Sequence, residues 1–91
     1  MSDVLSRNLN IGQAALTTAS STIVAARPGR RRVTVKNMDA SIVITINSGI
    51  AAATSTGFPI AAGATLTLDT SAVITAIAAS GTPSVAYIEE F

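Results

Sequence analysis

Apolar and polar residues alternate with a period of two from about residue 16 onward, and turn-forming side chains cut the pattern every few positions. Such runs are too short for amphipathic helices, which need apolar residues three and four apart over several turns. Arg32-Val33-Thr34-Val35-Lys36 reads as a strand with one buried face. Residues 37–41 supply a turn, and Ile42, Ile44 and Ile46 then share one face of a second strand, which Asn47-Ser48-Gly49 ends. Residues 64–69 alternate again with Leu66 and Leu68 inward, so Ile44 and Leu66 are expected in the core on facing strands. Residues 73–78 are more continuously apolar, which predicts a strand covered on both faces. Ser80-Gly81-Thr82-Pro83 turns the chain into a last strand over residues 84–89. Residues 21–25 form a further strand and Leu16-Thr17-Thr18 a weaker one.

Six or seven short strands at this spacing predict an all-β fold, a small antiparallel β-sandwich or jelly-roll-like barrel over residues 16–91. Residues 1–15 hold no sustained period and read as an extended N-terminal arm. In the middle of the chain, Thr56-Gly57-Phe58-Pro59-Ile60 reads as an extended stretch pinned by Pro59 and released by a turn at Gly63. Phe58 is expected to anchor the core, the alternative being a subunit contact.

The core of such a domain has to be thin. Two Phe, one Tyr and no Trp are available, while Ala fills 17 of 91 positions, and aromatics bring the largest buried area per residue. Small domains offset such a deficit with disulfides, metals or association. There is no Cys and no His, so disulfides are excluded and soft-ligand metal sites disfavoured. Association is left. Only 12 % of residues are charged, about half the usual share, which points to apolar surface covered by other subunits, with a homotrimer as the favoured state. The net charge of +1 speaks against general affinity for nucleic acid or an anionic membrane. The N-terminus Met1-Ser2-Asp3-Val4 lacks a basic-then-apolar signal pattern, which predicts assembly in a cytoplasm.

No constellation in the sequence suits catalysis. Without His the abundant Ser and Thr lack their usual activating base, and no cofactor motif is present. Glu89 and Glu90 are adjacent, so a strand would point them to opposite faces and they cannot form a catalytic pair. The densest polar feature is Arg27-Pro28-Gly29-Arg30-Arg31-Arg32, which holds four of the six basic residues. It reads as a Pro-Gly turn whose arginines, Arg27, Arg30 and Arg31 foremost, face a protein partner. Arg7, Asn8, Leu9 and Ile11 of the arm are the other candidate partner contacts, because an extended arm can add to the sheet edge of a neighbour.

Four segments in order resemble small virion proteins of tailed bacteriophages. They are Arg31-Arg32-Val33-Thr34-Val35-Lys36-Asn37, Ser55-Thr56-Gly57-Phe58-Pro59-Ile60-Ala61-Ala62-Gly63, Leu66-Thr67-Leu68-Asp69 and Ala76-Ile77-Ala78-Ala79-Ser80-Gly81-Thr82. In that group a strand of the type R-x-L-T-I-x-N precedes G-x-P-L-x-A-G, then L-D, then A-I-x-x-x-G-T and a terminal strand. Each element alone is ordinary turn chemistry; the order and spacing carry the likeness, over about three-quarters of the chain. The sequence departs from the group at Ile46-Asn47-Ser48-Gly49-Ile50, where a Tyr- and Gly-rich loop is usual. The resemblance implies a β-sandwich-like module of a capsid decoration (cement) or head-fibre protein, which binds major capsid protein subunits at the virion surface. It brings no catalytic residues. The alternative is a tail, neck or fibre adaptor that contacts a host receptor or another tail protein.

Overall fold

The computed structural model describes residues 8–53 and 56–91. Among the described residues eight strands run in chain order: β1 (Leu9–Ala15), β2 (Ser21–Val24), β3 (Arg32–Asn37), β4 (Ile44–Ser48), β5 (Phe58–Ile60), β6 (Thr65–Leu68), β7 (Ile74–Ala78) and β8 (Ser84–Glu90). They form two four-stranded antiparallel sheets, ordered β1-β8-β3-β6 and β2-β7-β4-β5. First pairs with eighth, second with seventh, third with sixth and fourth with fifth. From β1 to β8 the described chain is thus one long hairpin rolled up on itself, the eight-stranded jelly-roll arrangement of the all-β fold.

The core lies between the sheets. Val33, Val35 and Val85 from the first sheet meet Ile44, Ile46, Ile60, Ile74, Ala76 and Ala78 from the second, all buried. Alternation accounts for this directly, since Ile44 opposes Ile60 on one side and Ala78 on the other, so one inward row crosses three strands. At the end of β3, Asn37 joins the two sheets. Its fully buried side-chain amide donates to the carbonyls of Ile42 (2.8 Å) and Ile60 (3.1 Å), and its oxygen accepts the Asp39 N–H (3.0 Å). β7 is buried along nearly its whole length. The β4–β5 loop covers its outer side, where the Thr75 hydroxyl donates to the Ile50 carbonyl at 2.6 Å.

Gly57 makes the approach of β5 to β4 possible. Its φ is +118°, and a Cβ there would sit 2.7 Å from the Ile46 carbonyl oxygen, so only glycine fits.

Three expectations are corrected. Residues 9–15 are not a free arm, because β1 pairs with β8 from Leu9↔Glu90 to Ala15↔Ser84 and belongs to the sandwich itself. Leu16-Thr17-Thr18 follows that strand and is not one, although Leu16 is fully buried. Phe58 is 59 % exposed. It stands at the sandwich mouth between the sheet edges β5 and β6, where Ile46, Gly57, Leu66 and Leu68 line the same open cleft of about 310 Å³. Leu66 is accordingly half-buried, while Ile44 is fully buried.

Candidate functional site

The arginine segment splits between the interior and the surface. Arg27 to Arg30 make a tight turn closed by the Arg30 N–H on the Arg27 carbonyl (3.0 Å). Pro28 takes the second position and Gly29, at φ +86°, the third, as a type II turn requires. The turn aims Arg30 inward, where it is 4 % exposed. Its guanidinium donates to the Thr70 carbonyl (2.7 Å), the Ala25 carbonyl (3.1 Å), the Ala72 carbonyl and the Glu89 carboxylate (2.9 Å). Glu89, 2 % exposed, also accepts from Arg27 (3.2 Å) and from the Asn10 amide (2.6 Å). Arg27 in turn lies over the Phe91 ring, 4.0 Å from its centroid, a cation–π contact.

One carboxylate therefore ties together β1, the β2–β3 turn and β8, and Arg30 extends the tie to the β6–β7 loop. Burial pushes the Glu89 carboxyl up, but the hydrogen bonds from Asn10, Arg27 and Arg30, with the charge of Arg27, outweigh it and hold the group below the ordinary value of 4.5. A carboxyl lowered in the folded state adds stability above its unfolded pKa and loses it as pH falls through the folded one. The melting temperature is therefore expected to drop as pH falls below about 4.5. Asp39 shares in that slope, since the Ser41 and Ile42 N–H groups on its carboxylate also lower its pKa. In Glu89→Gln the chain should be less stable at pH 7 and its stability should vary less below pH 4.5. A thermal melt series from pH 7 to pH 2.5 checks this, and an unchanged acid slope in Glu89→Gln would contradict it.

The expectation that Arg30 faces a partner is corrected: its charge is fully used inside the fold. Arg27 is half-buried and engaged with Glu89 and Phe91. Arg31 is exposed, with its main-chain N–H on the Glu90 carbonyl (2.7 Å). Arg32 is also at the surface and pairs with Asp69 (3.2 Å). Of the candidates before β2, Asn8 and Phe91 exchange two main-chain bonds (2.9 and 3.0 Å), and Leu9 and Ile11 stand on the outer face. Arg7 lies outside the described residues.

That outer face is the second surface of note. The strand register lays residues across it in rows, because directly opposed residues point the same way. Leu9, Glu90 and Arg32 form one row, with Asp69 beyond; Ile11, Ile88, Thr34 and Thr67 form the next; Gln13, Ala86, Lys36 and Thr65 the third. The β6 side is polar, with a Thr34–Thr67 hydroxyl bond at 3.1 Å. The β1 side is apolar, with Leu9 56 %, Ile11 67 % and Ile88 39 % exposed. A shallow depression of about 290 Å³ runs along this face past Ile11, Ile88, Ala86 and Thr34. Sequence reasoning misses this patch as a sheet face because it reads Leu9 and Ile11 as part of an arm.

Among the described residues no group of three or more acidic, His or Cys side chains gathers in one place. No family model and no curated protein matches the sequence. Among solved structures, a protein of Bacillus endospore appendages, described as forming a novel family of disulfide-linked pili, superposes with a TM-score of 0.55 at 15 % identity. The match covers 93 % of this chain and 85 % of that one. The likeness is one of fold. A disulfide linkage has no counterpart here, since this chain contains no Cys.

Proposed function

We propose that the chain is a non-enzymatic structural subunit of a bacteriophage virion, a decoration protein that binds major capsid protein subunits on the outer shell. The observation that carries this reading is the apolar half of the outer β1–β8 face, where Leu9, Ile11 and Ile88 stand exposed in adjoining rows. Exposed apolar surface of this kind is what a partner covers. The four segments that resemble phage virion proteins support the same reading. They correspond to β3, the β5 region, β6, and β7 with its following turn, and so belong to one continuous sandwich. The buried Arg30–Glu89 cluster is used in holding the fold together.

The test is binding of purified protein to phage capsids that lack it. Ile88→Glu, on the exposed face of a central strand, is expected to lower occupancy at least about tenfold, the effect of losing about 1.4 kcal/mol. Arg31→Ala should change it far less, since a surface ion pair is worth at most about 1 kcal/mol and is screened by salt. Hundreds of copies per particle agree with decoration; a dozen or fewer would point to a tail, neck or fibre position. Unaltered binding by Ile88→Glu would refute this face as the contact.

A further inference from the structure

Four strands end the two sheets, and three of them are poor templates for another strand. β2 has four residues with a register shift between Thr22 and Val24. β5 has three residues with Pro59 in the middle, and proline removes a ladder donor. β6 has four residues and leads into the exposed Arg32–Asp69 pair. Short edges, bulges, prolines and charges are how sheets avoid pairing with one another. β1 has none of them. It is seven residues long, Leu-Asn-Ile-Gly-Gln-Ala-Ala, uncharged, without proline and without a break in register. Among the described residues no strand lies on its far side.

The direction of its free groups follows from the ladder. Asn8 and Phe91 exchange both main-chain bonds, and the Leu16 N–H reaches the Pro83 carbonyl. By alternation Asn10, Gly12 and Ala14 bond to β8, while Leu9, Ile11, Gln13 and Ala15 turn their N–H and C=O groups to the open edge. We propose that this edge pairs with β1 of a second copy of the chain, antiparallel about a two-fold axis at Gly12, which joins two four-stranded sheets into one of eight. In that register all four outward residues on each copy are used, about eight main-chain bonds in total. Leu9 lies opposite the small Ala15 of the second copy and Ile11 opposite the uncharged Gln13, with no charge meeting a like charge. The exposed rows of Leu9, Ile11 and Ile88 on the two copies become one surface. Pairing of β1 with β6 of another copy is the inferior arrangement, because it sets the apolar Leu9 and Ile11 along an edge that carries the hydroxyls of Thr65 and Thr67 and leads into the charge of Asp69.

An edge about 24 Å long covers less than the roughly 800 Å² per partner of a standard interface. The pair is therefore a concentration-dependent dimer, in place of the three-fold oligomer expected from composition, and it does not rest on what the assembled protein decorates. Sedimentation velocity from about 1 µM to about 1 mM reads it directly. Wild type is expected to pass from monomer to dimer across that range. Gln13→Pro removes one edge-facing N–H without touching the β8 ladder and should raise the dissociation constant at least about tenfold. Ile11→Lys/Gln13→Lys should stay monomeric, and mixing it with Ile11→Glu/Gln13→Glu should restore a dimer containing one chain of each kind. Circular dichroism melts establish that each variant is folded; with Gln13→Pro unfolded, the charge-reversed pair alone decides. A wild type that stays monomeric throughout, one that forms trimers or open chains, or a Lys/Lys variant that still dimerises would overturn the proposal.

Discussion

Replacing Arg30 by methionine is expected to destabilise the fold by about 3–5 kcal/mol, the range for breaking a buried pair and leaving its partner behind. Methionine keeps much of the side-chain length but none of the donors. The carbonyls of Ala25, Thr70 and Ala72 would each lose a hydrogen bond, and Glu89 would keep only Asn10 and Arg27. A domain of this size has about 5–15 kcal/mol to lose, so the melting temperature should fall by roughly 15–30 °C. Arg31→Met, at the very next residue but exposed, should change stability by no more than about 0.5 kcal/mol. Urea denaturation of both variants makes the comparison. Similar midpoints for the two would mean that Arg30 is not the member of the arginine run that holds the fold.

The contrast between those neighbours also shows where sequence reading stopped. β3, β6 and β7 are legible because Val33 and Val35, Leu66 and Leu68, and Ile74, Ala76 and Ala78 recur at every second position on the inward side, and β8 because a turn with Gly81 and Pro83 precedes it and Val85 starts its inward row. β1 is not, because its pattern is inverted. Leu9 and Ile11 point out, while Asn10 and Gly12 point in. The reasons lie on β8: Asn10 serves the Glu89 carboxylate, and the Tyr87 ring fills the space over Gly12, where a Cβ would come within 2.5 Å of its hydroxyl. A strand whose inner surface is supplied by its neighbour leaves no apolar period of its own.

The buried ion pair left a usable signal that the arginine run obscured. Alternation along β8 already put Glu89 and Glu90 on opposite faces, and the rest of the strand placed Glu89 on the face of Val85. A carboxylate on the core side needs a cation. Four arginines close together look like a solvated patch, and only the type II geometry of Pro28-Gly29 determines which of them turns inward. Phe58 went the other way. An aromatic in a chain so short of them is reasonably assigned to the core, yet β5 is an edge of three residues, and its first position opens onto the cleft beside Leu66 and Leu68.

The cleft separates two core leucine-sized positions that alternation treats alike, and truncation should tell them apart. Ile44→Ala is expected to cost about 2–5 kcal/mol, because the site is fully enclosed and the removed carbons leave a cavity between Ile60 and Ala78. Leu66→Ala should cost about half as much or less. Its side chain already borders open space, so water replaces part of the lost contact and little new cavity forms. Midpoints of urea unfolding at constant slope give both values. Equal losses at the two sites would mean that the mouth between β5 and β6 is closed in solution, with Phe58 folded over Leu66, and the exposed position of that ring would then have to be abandoned.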